Sequence, residues 1–166
     1  LLFARDIFDG FRRMSFVLLF IAVMVLLTVY LVRQNIPSFY VIPFCVVPIV
    51  LRTFFGSRVA FNTHLVVVLI TSFIIPNGVE FIFLQIAAGM VAIFSNIKAH
   101  YWSQFFGSIA YVFLAYAVGF IGITLIQQGS FSEVSWTDFG WIAANTFLTL
   151  MAYPLIPIFE KLFGVV

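Results

Sequence analysis

The sequence predicts an all-α fold: a polytopic membrane helix bundle with six complete transmembrane helices. Apolar residues make up 64% of the chain and charged residues 8%, whereas soluble domains average about 45–50% and about 25%. The mean hydropathy is +1.19, which leaves too little polar surface to cover a particle in water. Because no water satisfies exposed backbone groups inside a bilayer, the apolar segments are predicted to be helices.

Intervals without Asp, Glu, Lys or Arg define the predicted spans, since a transmembrane helix needs about 17–25 mostly apolar residues. Trimmed at turn signals, these intervals predict spans at 14–33, 37–52, 59–75, 79–97, 104–127 and 138–160. Residues 1–166 are therefore predicted to form a single transmembrane domain. The chain does not begin with Met, and its first residues look like the end of an earlier apolar segment. A fragment of a longer protein is expected.

Four of the six prolines lie in the first half of the chain. Pro37, Pro43 and Pro48 all fall within the second span. Each proline removes a backbone donor and clashes with the carbonyl four residues earlier, so this span is predicted to be kinked or partly broken. The sequence Pro76-Asn77-Gly78 predicts a tight turn before the fourth span.

Basic residues predict the orientation. Seven of the eight fall on one side of the predicted bundle, and only Arg33 falls on the other. Glu80, Glu133 and Asp138 share the side of Arg33. The positive-inside rule therefore predicts that both ends of the chain are cytoplasmic. A net charge of +2 without runs of like charge argues against a nucleic-acid surface.

Five polar residues are candidates for an intramembrane or ligand-contact role: Asn62, His64, Glu80, Gln85 and Asn145. Polar groups in a membrane are costly and usually paired, and they often mark functional sites. For His64, a structural role and a proton or ligand role both remain open. Glu80 stabilises the N-terminus of the fourth helix or contacts a ligand outside. Gln85 and Asn145 are expected to find partners across helices.

No motif for catalysis, a cofactor or a metal is found in the sequence. His64 and His100 are 36 positions apart and lack a cysteine cluster or a suitably spaced carboxylate, so they do not predict a metal site. The single cysteine, Cys45, lies in an apolar run and is predicted to be a small buried residue. No phosphate-binding loop or nucleophile motif is present.

The final span carries a candidate hinge and is preceded by a loop. Its N-cap is predicted at Ser135 or Thr137. Pro154 and Pro157 lie in its second half and form the candidate hinge. Pairs of small residues at a spacing of four predict close helix packing. These pairs are Ala88 with Ala92, Ala115 with Gly119, and Gly140 with Ala144.

Several short segments of the chain, each with a proline, a glycine or a charged residue, match a known family. They are Arg5-Asp6-Ile7-Phe8, Pro48 to Arg52, Pro76-Asn77-Gly78 with Glu80-Phe81, Gly89 to Ser95, and Tyr153-Pro154-Leu155 to Phe159 to Gly164. On these residues the chain resembles the bacterial seven-transmembrane receptors with an intracellular HD hydrolase domain. The second and third spans are similar to Bacteroidetes members.

The resemblance implies a receptor with an extracellular domain, seven spans and a cytoplasmic HD phosphohydrolase that cleaves cyclic di-AMP at a divalent metal centre. The chain would then be its membrane-anchoring, signal-transmitting domain, located in the inner membrane. The implied partners are the lipid bilayer, a second copy and an unidentified extracellular ligand. Neither His64 nor His100 precedes an Asp, so no catalytic residue or metal ligand is carried over onto this chain.

Two other functions are compatible with the same residues. A small stand-alone transporter or channel subunit would use the kinked second span together with Asn62, His64 and Gln85 as a pathway. A membrane scaffold protein would use the bundle only to hold partners and would depend on none of these side chains.

Overall fold

A computed structural model describes residues 2–36, 38–95 and 102–163, and within these ranges the chain is mostly helical and has no β-strand. The all-α prediction is confirmed. Two short 3₁₀ turns lie at Phe39–Val41 and Phe131–Glu133. The α-helices are α1 (Leu2–Arg33), α2 (Val46–Phe55), α3 (Ser57–Ser72), α4 (Gly78–Phe94), α5 (Trp102–Gln128), α6 (Trp136–Thr149) and α7 (Ala152–Phe163).

The predicted number of complete spans is wrong, because only three described helical segments are long and apolar enough to cross a bilayer. They are Asp9–Arg33, Ser103–Gln128 and Trp136–Phe163. The other apolar segments are shorter: Phe39–Phe55, Ser57–Ser72 and Gly78–Phe94. A helix rises 1.5 Å per residue, so the 17 residues of α4 cover about 25 Å of a hydrocarbon core about 30 Å thick. The charge-free intervals had included turn residues that lie outside the helices.

The second predicted span is broken, as its prolines indicated. A 3₁₀ turn is followed by extended backbone at Ile42, and α2 begins only at Val46. Pro48 lies in the first turn of α2, where a backbone N–H has no helical partner to lose. Pro37 lies outside the described residues.

The short helix α2 is the centre of the bundle. Every residue from Val46 to Leu51 is buried, and the helix packs against α3, α4 and α7. Helix α4 packs in turn against α3 and α5, and α5 against α6. The long α1 contacts α3 and the first 3₁₀ turn. The shortest α-helix is thus enclosed by longer ones.

The turns on either side of the later helices agree with the sequence. Gly78 opens α4 directly after Pro76-Asn77, and a side chain there would collide with the backbone oxygen of Ser72. The N-cap of α6 is Ser135, whose Oγ accepts a hydrogen bond from the Asp138 N–H at 3.3 Å. Both local predictions are confirmed.

The last span is divided at Leu150 and Met151 into α6 and α7. The N–H groups at this break bond to carbonyls three residues earlier, Leu150 to Phe147 at 3.1 Å and Met151 to Leu148 at 2.9 Å. Leu150 stands four residues before Pro154, where proline displaces the helical carbonyl. Pro157 lies inside α7. The break therefore coincides with Leu150, whose carbonyl oxygen cannot receive a helical hydrogen bond from Pro154 because proline has no N–H.

Phenylalanine rings of α7 and of the end of α2 pack against α1. The ring of Phe16 lies 4.7–5.6 Å, centroid to centroid, from five others. We call this group the terminal aromatic cluster: Phe16, Phe20, Phe54, Phe55, Phe159 and Phe163. Edge-to-face pairs contribute about 0.5–1.5 kcal/mol beyond their buried area. The cluster joins three helices at one end of the bundle, and Phe163 is its last described residue.

Candidate functional site

A set of hydrogen-bonded polar side chains occupies the interior of the bundle, and we call it the buried polar network. Its members are Tyr40, Cys45, His64, Glu80, Gln85, Tyr116, Asn145 and Thr149. They come from the segment before α2 and from α3, α4, α5 and α6. Inside a bilayer an unpaired polar group has no water to bond, so pairing across helices fixes their arrangement.

Gln85 and Tyr116 join α4 to α5. The Tyr116 hydroxyl donates to Gln85 Oε1 at 2.5 Å, and both side chains are buried. The Cys45 Sγ lies 3.4 Å from the same hydroxyl. Because the hydroxyl has one proton and gives it to Gln85, the thiol is the donor in that second contact. Cys45 is buried as predicted, with a hydrogen-bond partner besides.

His64 joins α3 to the backbone of α4. Its Nε2 lies 2.8 Å from the carbonyl oxygen of Gln85. A carbonyl only accepts, so the hydrogen bond assigns the ring proton to Nε2. The imidazole lies directly over Gly89, where an added Cβ would overlap the ring. The absence of a side chain at Gly89 is what admits the histidine between the helices.

Asn145 ties α6 to the non-helical backbone before α2. Its Nδ2 donates to Tyr40 O at 2.7 Å and to Ile42 O at 2.9 Å. Its Oδ1 accepts from the Thr149 hydroxyl at 3.4 Å. The side chain also interacts with the Tyr116 hydroxyl, which links this part of the network to Gln85. Asn145 therefore supplies the donors that an irregular buried backbone segment needs.

Glu80 lies in the first turn of α4, where a carboxylate complements the helix N-terminus. The Tyr40 hydroxyl donates to its Oε1. A cavity of about 290 Å³ opens beside Glu80. It is lined by Pro76, Asn77, Gly78, Val79, Glu80 and Gln127. The arrangement gives Glu80 a partner across the bundle, and a ligand contact at this cavity remains a prediction.

Two buried nitrogen atoms of the network have no hydrogen-bond partner among the described residues, His64 Nδ1 and Gln85 Nε2. Several threonine hydroxyls outside the network donate hydrogen bonds to carbonyl oxygens of their own helices. Thr71, for example, donates to Val67 O at 2.7 Å. Within the described ranges, no three His, Cys, Asp or Glu side chains are grouped so that they could hold a metal ion. What the network offers is hydrogen bonding in a dry interior.

The structure brings together four of the five predicted polar residues and leaves one out. His64, Glu80, Gln85 and Asn145 belong to the network, whereas Asn62 is exposed on α3. The pathway alternative needed Asn62 on one route with His64 and Gln85, and the two faces of α3 separate them. His100 lies outside the described residues.

Sequence reasoning missed Tyr40 and Tyr116. Both are tyrosines in apolar segments, and each joins two helices or segments through its hydroxyl. The available signal was chemical, because a tyrosine hydroxyl in lipid needs a partner. Arg52 was also missed. Its guanidinium donates to the backbone oxygens of Ile93 and Ser95 and caps the end of α4.

The small-residue pairs occupy different environments. Ala88 and Ala92 are fully buried on α4. Ala115 and Gly119 lie on α5, and an added Cβ at Gly119 would come within 2.9 Å of the Leu84 side chain. Gly140 is exposed, and Ala144 is partly exposed. An added Cβ at Gly140 would meet nothing within 4 Å, so this last pair forms no close helix contact among the described residues.

Comparisons with known proteins identify the family. The family model described as 7TM receptor with intracellular HD hydrolase matches residues 1–166. No curated protein and no solved structure matches the chain. The family match covers all the helices described above, from the aromatic cluster to the polar network. The chain therefore belongs to the family of 7TM receptors with an intracellular HD hydrolase.

Proposed function

We propose that residues 1–166 are the membrane-anchoring and signal-transmitting domain of a receptor whose HD hydrolase is a cyclic-di-AMP phosphodiesterase. Family membership over the whole chain supports this proposal, as do three described helices of membrane-spanning length and composition. The hydrolase and its divalent metal would belong to a separate intracellular domain, so the residues described here anchor and regulate rather than catalyse.

The location follows from the distribution of charge. We place the domain in the bacterial inner membrane with both ends of the chain in the cytoplasm. The support for this orientation is that seven of the eight basic residues fall on one side of the topology predicted from the sequence. The terminal aromatic cluster brings Phe16, Phe55 and Phe163 together, and each of these lies within three residues of a basic residue in the sequence. A homodimer and an extracellular ligand are part of the same proposal.

The single observation that carries the signalling proposal is the arrangement of α6 and α7. The last span is broken at Leu150 and Met151, and α7 contacts α1 through the rings of Phe159 and Phe163 and also packs against α2. In this proposal a shift of α7 about the break, with Pro154 and Pro157 as the hinge, is passed to the hydrolase. A kinked helix with two positions is a recognised kind of switch.

In this proposal the buried polar network connects the Glu80 end of the domain to the break at Leu150 and Met151. Glu80 holds the Tyr40 side chain, and Asn145 holds the Tyr40 backbone. Asn145 stands one turn before the end of α6. A ligand or a second subunit that moves the Glu80 region would thus pull on α6 through hydrogen bonds.

The test is hydrolysis of cyclic di-AMP by the full-length protein in vesicles with a divalent metal. Phe159→Ala removes ring contacts to Phe16, Phe20 and Phe163. A loss of about 1 kcal/mol from such pairs corresponds to a change of about fivefold in the equilibrium constant between two positions of α7. We expect the hydrolysis rate to change by a similar factor. Phe147→Ala is the matched control, because Phe147 is 72% exposed.

Two results would refute the proposal at different levels. If the full-length protein does not hydrolyse cyclic di-AMP under any metal condition, the assignment of the substrate fails. If it does, but Phe159→Ala and the double change Pro154→Ala with Pro157→Ala both leave the rate and the signal response unaltered, the domain is a plain anchor.

A further inference from the structure

An apolar cavity of about 340 Å³ lies between α1, the start of α2 and the break between α6 and α7. Every residue that lines it is apolar. They are Leu19, Phe20, Val23, Met24, Pro43, Val46, Leu148, Met151, Leu155 and Phe159. Neither the buried polar network nor the proposed signalling mechanism accounts for this space. Helices α3 and α4, which carry His64 and Gln85, contribute no residue to its lining.

The cavity lies near the middle of the membrane. The α1 residues that line it, Leu19 to Met24, fall at the centre of the membrane-length segment Asp9–Arg33. Leu148 and Met151 fall at the centre of the segment Trp136–Phe163. Because two independent spans place it at the same level, the surroundings at its depth are the ends of lipid acyl chains.

The walls of the cavity differ in their exposure. Val23 is 50% exposed and Met151 57% exposed, so they stand at the surface that faces lipid. Phe20, Met24 and Val46 are buried and form the inner wall. The cavity is therefore open to the bilayer on one side and closed by the core on the other, which is the geometry of a slot for a chain that enters from lipid.

The chemistry of the lining selects the occupant. Water needs two or more polar partners in such a space, and the lining supplies none from its side chains. A helix with its side chains is about 10–12 Å wide, too large for this volume. Small-molecule sites begin at about 300 Å³, and apolar cavities of about half that size bind hydrocarbon ligands. We propose that this cavity binds the acyl chain of a bilayer phospholipid.

Acyl-chain binding can be tested by photolabelling. The full-length protein is reconstituted in vesicles of phosphatidylethanolamine and phosphatidylglycerol that contain a phospholipid with a diazirine in its acyl chain. After illumination, adducts are mapped by mass spectrometry. We expect adducts on Met24 and Phe20, which are buried but line the cavity. Phe16 is also buried on α1 but lies outside the cavity, and we expect it to stay unlabelled.

Matched substitutions separate the cavity from the general lipid surface. Val46→Phe and Val23→Phe place a ring in the cavity and should reduce labelling of Met24 to the level of Phe16. Val66→Phe makes the same change on α3 at a residue that is 42% exposed and outside the cavity, and it should leave labelling unchanged. If Val46→Phe does not fold, Val23→Phe and the wild-type comparison decide.

Three outcomes would overturn the proposal. One is labelling of Met24 and Phe20 no stronger than that of Phe16 in the wild-type protein. Another is labelling that persists in a folded cavity-filling variant. The third is labelling by a free diazirine fatty acid alone and never by the phospholipid, which would assign the site to a soluble amphiphile. Because none of these readouts uses hydrolysis of cyclic di-AMP, they stand apart from the test of the proposed function.

Discussion

Replacing Asn145 by leucine is expected to loosen the contact between α6 and the segment before α2. The amide donates to Tyr40 O at 2.7 Å and to Ile42 O at 2.9 Å. Ile42 O keeps a second donor, the Phe44 N–H at 2.9 Å. No other donor to Tyr40 O is found among the described residues, so the substitution leaves one partly buried carbonyl unpaired and removes one of the two donors to Ile42 O.

The size of the effect follows from these bonds. A buried acceptor without a partner costs about 1–3 kcal/mol, while hydrogen bonds measured between membrane helices average about 0.6 kcal/mol. The combination gives a destabilisation of about 2 kcal/mol for Asn145→Leu. Asn145→Asp keeps the shape but removes the donors, so it should cost at least as much. A leucine effect without an aspartate effect would point to packing instead.

The assay uses the single thiol of the chain. Cys45 is buried beside the network, so its rate of labelling by a maleimide in nanodiscs reports how often this region opens. A loss of about 2 kcal/mol corresponds to labelling that is roughly 30-fold faster. The control is Thr146→Val, since Thr146 donates only to Ile142 O on its own helix, and it should change the rate about threefold at most. Equal rates for Asn145→Leu and Thr146→Val would refute the reasoning.

Five further substitutions test three other contacts with the same thiol assay. Gly89→Ala should destabilise the bundle by about 1–3 kcal/mol, because its Cβ overlaps His64, and His64→Ala should relieve much of that cost in the double variant. Arg52→Leu removes a charged cap from the end of α4 and should cost about 1.5–3 kcal/mol. Tyr40→Phe and Glu80→Ala each remove the same hydrogen bond, so their effects should be smaller together than their sum, and strict additivity would mean that the bond contributes nothing.

Features that depend on local chemistry could be predicted from the sequence. The all-α class follows from hydropathy, the turn at Gly78 from its tripeptide, and the cap at Ser135 from its side chain. The need of Gln85 and Asn145 for partners follows from the cost of a bare amide in lipid. In each case the cause lies within a few residues of the effect, or in the medium itself.

Helix lengths and the identity of partners could not be predicted in this way. An absence of charge does not distinguish a helix from the turn that follows it, so α3 and α4 were expected to be longer than they are. Successive helical residues point about 100° apart, and only packing decides that His64 faces the core while Asn62 does not. Phe16, Phe54 and Phe159 are remote in sequence, and their cluster exists only after three helices have assembled.

The two halves of the last span, α6 and α7, are held by contacts of different kinds. In the proposed mechanism this difference determines which of the two helices moves relative to the bundle. Asn145 binds α6 through hydrogen bonds, whose strength falls steeply when the donor angle changes. The rings of Phe159 and Phe163 bind α7 through dispersion and edge-to-face contacts, which tolerate sliding over a broader range. In the proposed mechanism, a displacement at the Glu80 end would therefore be carried rigidly into α6, whereas α7 would adjust its contact with α1. The helical hydrogen-bond pattern is already interrupted between them, at Leu150 and Met151. We therefore expect the least resistance to bending at this break, between a helix held by directional hydrogen bonds and a helix held by ring contacts.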